Sequence, residues 1–516
     1  MTSEPSEAPA REPQPAAPLG PRILEGASLF LLGQGAVLVI NLLATPFLVH
    51  RLGPGGYALY TLMWTVAGYL MLLIFGTGDG VQKYTAEYAG RRQASPLGAL
   101  LRATLGIQMA ASVVGGAALY LARFWVAGTV FGVGPEELES AGRVFAWVAL
   151  AAPSYFALQF GVNVLYGGQL FRGYNVFQAL QAGVVALAAC VLLASGRSIE
   201  AVAAAFFCAN TLLAAAALWA GRRFLTLASE DAGPVLPGFF RFSGKRWANY
   251  LLWVLTFQLD RVFIGAFLPI SQMGYYVVSS AIIQKLNMLC GAVTGPAFPM
   301  LADLHGRGEA ERLERFYLKV TELSLAVVLP LTVLAFAFIP LFFGLWLGPD
   351  FSRESSWPFR LLVAANLAYF CTFLPNALAV AKGAPEIPTW LQVVKLAALL
   401  VLWPILIPRH GIKGVALAVL AAEWLVMPMC LAVVHRRFLS MGWGTFAAGA
   451  WFRPGMPALA LAALSWLACG RVSGWLGLLG SGSLGLAFYW ASAWWLLDPE
   501  AKELLSSWVR SKLKPS

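Results

Sequence analysis

Charge is what this chain has least of. Only 12% of its 516 residues are Asp, Glu, Lys or Arg, about half the share of a soluble globular domain, and 59% are hydrophobic. A soluble enzyme is excluded on composition alone. Cysteine is sparse too: Cys190, Cys208, Cys290, Cys371, Cys430 and Cys469 lie in or beside apolar runs with no CxxC spacing, so they read as small buried hydrophobes. His50, His305, His410 and His435 are scattered singly, and no metal site is expected. A phosphate loop is also missing. Gly238 to Arg246 has one residue too many between its glycines, and Arg246 where Ser or Thr should meet magnesium. Gly480, Gly482 and Gly485 fit a GxGxxG spacing, but inside an apolar helix where small residues serve packing. The longest outer loop, near Arg123 to Gly142, is too small for a catalytic domain. No catalytic residue and no cofactor is expected.

What fills the chain instead is apolar runs, about fourteen of them long enough to span a bilayer. They lie near residues 27–49, 57–78, 99–122, 143–166, 176–195, 201–220, 250–270, 276–300, 320–346, 360–381, 390–408, 415–434, 456–470 and 474–497. The predicted fold is therefore all-α and integral to a membrane. With the N-terminus taken as cytosolic, 23 of the 36 Lys and Arg residues fall on the cytosolic side. That asymmetry accounts for most of the net charge of +11 without a nucleic-acid partner. Both termini are expected in the cytosol.

Gly56-Tyr57 and Gly274-Tyr275 each precede the second helix of a hairpin that ends in a basic loop. The expected organisation is two pseudo-symmetric six-helix lobes in parallel repeat, plus two extra C-terminal helices. The predicted boundaries are a disordered cytosolic tail at 1–22, a first lobe at 23–220 and a cytosolic connection at 221–249. A second lobe follows at 250–435, then the extra pair at 436–497 and an amphipathic cytosolic tail at 498–516. A second amphipathic stretch, Glu309 to Lys319, is expected to lie at the headgroups.

Asp260 and Arg261 fall in the middle of the run Tyr250 to Ile270, where a charge costs at least ~2.5 kcal/mol unless it faces a partner or water. In the next run Ser280, Gln284, Asn287, Gly291 and Thr294 share one helical face, with Lys285 beside it. Asn249, Trp253, Thr256 and Asp260 form another face, with Gln258 and Arg261 on its neighbour. Asn41 with Gln34 and Thr45, Gln159 and Asn163 with Tyr155, and Gln178 with Gln181 repeat the pattern. Each stripe could be interhelical glue; together they point to a shared aqueous cavity. Its expected lining is Arg261, Lys285, Asp260, Gln284, Asn287, Gln258, Asn41, Gln159 and Asn163. Glu423 and Asp260 are candidates for ion coupling, and Lys395 is expected to snorkel to the headgroups.

The segment Gly33-QG…NLLATPFLVHRLGPGGYALYTL, the segment Gln258-LDRVFIGAFLPISQMGYYVVSSAI and the fourteen runs resemble bacterial polysaccharide-biosynthesis flippases. These belong to the multidrug/oligosaccharidyl-lipid/polysaccharide exporter superfamily. The likeness runs from about Ile23 to Arg437. It implies two lobes moving an undecaprenyl-pyrophosphate-linked oligosaccharide across the inner membrane by alternating access. It also implies basic cavity residues for the anionic head, here Arg261 and Lys285, and partners that include membrane lipids, a polysaccharide polymerase and other biosynthesis proteins. A multidrug or lipid II exporter of the same superfamily is the alternative, and a membrane glycosyltransferase or polymerase a more distant one.

Overall fold

A computed structural model describes residues 19–89, 96–226, 231–294 and 297–498. Among these residues the chain is helical and has no strand, as a membrane interior requires when no water can satisfy open backbone groups. The first group of helices is α1 (Leu19–Leu70), α2 (Thr77–Ala89), α3 (Leu97–Trp125), α4 (Pro135–Gly167), α5 (Phe171–Ala194) and α6 (Ile199–Leu225). Then come α7 (Leu236–Gln258), α8 (Asp260–Phe267), α9 (Ile270–Thr294), α10 (Ala297–Gly306), α11 (Ala310–Trp346) and α12 (Pro349–Cys371). The chain continues with α13 (Phe373–Ala381), α14 (Glu386–His410), α15 (Ile412–Phe438), α16 (Trp443–Phe446), α17 (Arg453–Cys469) and α18 (Gly474–Leu496).

Ten of the described helical stretches are long and apolar enough to cross a membrane, and the pair α7–α8 makes eleven if read as one bent span. This is a multi-pass membrane protein. One of the ten, Gly35–Ile74, is not straight: Gly53 sits at φ 67°, a conformation open to glycine, and Pro54 follows without an N–H to continue the ladder. The turn expected between the first two runs is thus a break within α1.

α4 packs against α3, α5 and α6, while α1 lies along α5. In the second group α12 packs against α9, α11 and α15, and α14 against α15. α17 and α18 pair and attach through α11. Gly485, in the tempting glycine motif, faces Leu334 and Leu461, so its small size serves helix packing. The two groups meet chiefly where α1 crosses α9. At that end one apolar core holds Leu48, Tyr57 and Phe131 together with Ile264, Met273 and Phe343. Backbones touch there: a Cβ on Gly274 would strike Pro54, and one on Gly132 would strike Gly265. At the other end one core surrounds Leu313, Leu378 and Leu431, and another surrounds Val81, Leu100 and Phe224 together with Phe239 from the first half of α7.

Several expectations change. The run Tyr250 to Ile270 is not one helix: α7 begins earlier, at Leu236, and bends by 40° into α8 at Leu259. The connection 221–249 is accordingly helical at both ends. The first half of α7 docks on α2, with Arg246 Nε 2.6 Å from Asp79 Oδ2 and the Trp247 indole donating to Leu72 O at 2.8 Å. Glu309 to Lys319 is not a separate surface helix, because Leu313 and Tyr317 are fully buried in the first turns of α11. Lys395 does not snorkel. It is 3% exposed and forms an ion pair with Glu423, equally buried. Most of both predicted tails, 1–18 and 499–516, lies outside the described residues.

Candidate functional site

A cavity of about 500 Å³ opens between the two groups, walled by both halves of α1 on one side and by α7, α8, α9 and the end of α11 on the other. That volume is in the range of pockets that enclose small organic ligands. Asn41, Gln258, Arg261, Gln284 and Lys285, five of the expected residues, converge on it. Thr45, Thr61 and Thr65 add hydroxyls.

Both walls of the cavity are irregular. Pro46 has no N–H, so the Leu42 carbonyl one turn before it loses its helical donor. The Trp346 indole N–H, from the opposite wall, donates to that carbonyl at 3.1 Å. The break at Leu259 likewise frees the Gln258 carbonyl, which accepts the Tyr69 hydroxyl from α1 at 2.6 Å. Irregular backbone at membrane depth is tolerated where it borders a cavity or finds such a partner.

The break also separates two adjacent charges. Asp260 starts α8 and turns into the second group, where its Oδ1 accepts the Arg261 N–H at 2.8 Å and its carboxylate meets Tyr276. Arg261 turns to the central cavity, since neighbouring residues on a helix point about 100° apart. Neither Arg261 nor Lys285 has a carboxylate within ion-pair distance among the described residues, and no Asp or Glu lines the central cavity. Arg261 Nε is buried with no hydrogen-bond partner among them. The chamber is therefore cationic, and a bound anion could gain charge-assisted hydrogen bonds, typically ~1.5–3 kcal/mol each.

Asp260 belongs instead to a second, smaller cavity of about 60 Å³ with Asn287, Asn366, Lys395 and Glu423. Gln284 borders both cavities. The Lys395 ammonium lies 4.2 Å from the Phe257 ring centroid and 5.0 Å from that of Tyr369. Asn287 Oδ1 is buried without a partner among the described residues. Gln159 and Asn163 are elsewhere, between helices of the first group. Asn163 accepts from Gln82 at 2.8 Å, and Gln159 donates to Gln181 at 3.4 Å, which in turn donates to Asn210.

Aromatic residues were missed by charge-led reading. Tyr57, Tyr60, Trp64, Phe342 and Trp346 all line the central cavity. Tyr57, Thr61, Trp64 and Thr65 share one helical face, a spacing that marks them once the second half of α1 is known to line the cavity.

Residues 167–356 match the family described as polysaccharide biosynthesis protein. A Shigella flexneri protein named "Putative O-antigen transporter" is 18% identical over 427 residues, spanning 79% of this chain and 98% of that protein. Among solved structures, the lipid II flippase MurJ in an inward closed conformation aligns with a TM-score of 0.69 at 11% identity, covering 89% of this chain and 97% of that one. An inward-facing multidrug resistance MATE family transporter of the MOP superfamily aligns with a TM-score of 0.62 at 16% identity, over 78% and 94%. A MOP superfamily transporter from Pyrococcus furiosus, described as having a binding pocket of reverse polarity, aligns at 0.55 and 14%, over 82% and 96%. The fold is that of MOP-superfamily transporters.

Proposed function

We propose that the chain is an inner-membrane flippase that carries an undecaprenyl-pyrophosphate-linked oligosaccharide, a polysaccharide or O-antigen repeat unit, from the cytosolic to the periplasmic leaflet by alternating access. The observation that carries this reading is the sign of the central cavity. Arg261 and Lys285 face it, and the carboxylates Asp260 and Glu423 are withdrawn into the second group. A cavity for cationic drugs would need the opposite arrangement, so the multidrug reading falls behind. Lipid II export shares the anionic-lipid chemistry and stays as the second reading, favoured by the likeness to MurJ.

In this account the two groups are lobes at 23–220 and 250–435, and the pair at 436–497 is accessory. Reading the broken α1 as two spans and admitting α9 and α18 brings the eleven apolar stretches to fourteen. With basic residues placed in the cytosol, the shared core joins the lobes on the periplasmic side, and toward the cytosol two distinct cores remain, with the first half of α7 strapped to the first lobe. The cavity would then load from the cytosolic side. With no phosphate loop in the sequence, transport runs on a gradient or on the substrate's own flux, and Asp260 and Glu423 are the ion-coupling candidates.

The test is complementation of a bacterium lacking its own repeat-unit flippase. Arg261→Ala and Lys285→Ala should abolish surface polysaccharide at normal membrane abundance. Wild-type surface polysaccharide in both variants would remove them from the mechanism.

A further inference from the structure

The two walls of the central cavity differ in kind. Both cations, Arg261 and Lys285, stand on the wall built from α8 and α9. The wall from α1 carries no charge and offers Tyr57, Tyr60 and Trp64 among the hydroxyls and amide of Thr61, Thr65 and Asn41. Trp64 is half-buried, so part of its ring stays open, and Phe206 meets it edge-on at 5.0 Å and fixes its tilt. Trp346 is half-buried as well, its indole N–H taken by Leu42 O and its ring backed by Phe342 at 5.1 Å. Both rings are held in place, and each keeps part of its apolar surface exposed at the cavity. Leaving them wet costs roughly 25 cal/mol per Å² of apolar surface, which a ligand would recover.

We infer that Trp64, on the α1 wall, and Trp346, which reaches from the end of α11 to bond α1 at Leu42, form a saccharide platform beside the Arg261 and Lys285 that would take the phosphates. The C–H face of a pyranose ring carries small positive partial charges and meets the negative face of an indole, while its hydroxyls need hydrogen-bond donors and acceptors. Asn41, Thr61 and Thr65, which line the same cavity, supply these. A phosphate group finds no donor of full charge on the α1 wall, so it is drawn to Arg261 and Lys285. The platform rests on the flippase reading and assigns the sugar half of its substrate.

The experiment measures Kd for the full chain in nanodiscs against two probes: undecaprenyl pyrophosphate alone, and the same lipid bearing one N-acetylhexosamine. The wild type should bind the sugar-bearing probe about tenfold more tightly. Trp64→Leu and Trp346→Leu should each lose most of that gain while keeping the Kd for the bare lipid within about twofold. Trp64→Tyr, which keeps a ring, should retain much of it and guards against a fold defect. If the wild type gains nothing from the sugar, or the gain survives in both Leu variants, the platform is refuted. Failure of the flippase reading looks different: Arg261→Ala and Lys285→Ala would then leave binding of the bare lipid unchanged.

Discussion

Exchanging Lys395 for Met would leave Glu423 alone in a place where both side chains are 4% exposed. Two routes then open to the protein, and both are costly. Keeping the carboxylate charged and unpaired costs about 3–5 kcal/mol, the usual penalty for removing one partner of a buried pair. Protonating it at pH 7, from an ordinary pKa near 4.3, costs about 3–4 kcal/mol at ~1.4 kcal/mol per unit. The cheaper route sets the loss, so Lys395→Met should destabilise by roughly 3–4 kcal/mol, with an apparent Tm lower by on the order of 5 °C. The double variant Lys395→Met, Glu423→Leu removes both charges and fills similar space. It should recover most of the loss, falling short by the cation–π contacts to Phe257 and Tyr369, about 1–2 kcal/mol. Thermal unfolding of the purified protein in detergent measures both variants side by side. A double variant no more stable than Lys395→Met would refute the claim that the two residues form one buried, mutually compensating pair.

Other outcomes follow from the same geometry. Gly265→Leu should prevent the close approach of Gly132, itself at φ +60°, and unseat the core shared by the two groups. In a cysteine-free background, Asn41→Cys should then react faster with a membrane-impermeant thiol reagent added from the periplasmic side. Arg453→Ala should take from Glu322, whose side chain is 2% exposed, its cation, leaving the Asp498 N–H at 3.3 Å, and break the link from Arg453 to Asp498 at 2.8 Å. A Tm loss comparable to that of Lys395→Met is expected, read by the same unfolding assay. Tyr69→Phe should leave the Gln258 carbonyl without its side-chain donor at the α7–α8 break and cost about 1–3 kcal/mol, again visible in Tm.

The sequence carried the class of fold plainly, because long uncharged runs have few other uses. It also singled out Arg261 and Lys285, since ionised groups inside such runs are conspicuous. Their neighbours were harder to place. Asp260 adjoins Arg261 in sequence yet faces another cavity, and the break at Leu259 that completes the separation has no Pro or Gly within LTFQLDR to announce it. The Lys395–Glu423 pair spans 28 residues and two helices, so only packing could reveal it. Gln159 and Asn163 sit on a polar stripe as regular as any other, but theirs meets partner amides instead of the chamber. A polar face shows that a helix has a partner of some kind; which kind depends on what packs opposite.

The central claim is that an anionic lipid head passes through the chamber that Arg261 and Lys285 make cationic. Its most direct test is reconstitution in proteoliposomes with a fluorescent, saccharide-bearing prenyl pyrophosphate placed in one leaflet, with head-group arrival in the other followed over time. The wild type should move the probe, and Arg261→Ala and Lys285→Ala, inserted at equal density with unchanged Tm, should fall to the rate of protein-free vesicles. Equal transfer by all three proteins would contradict the account.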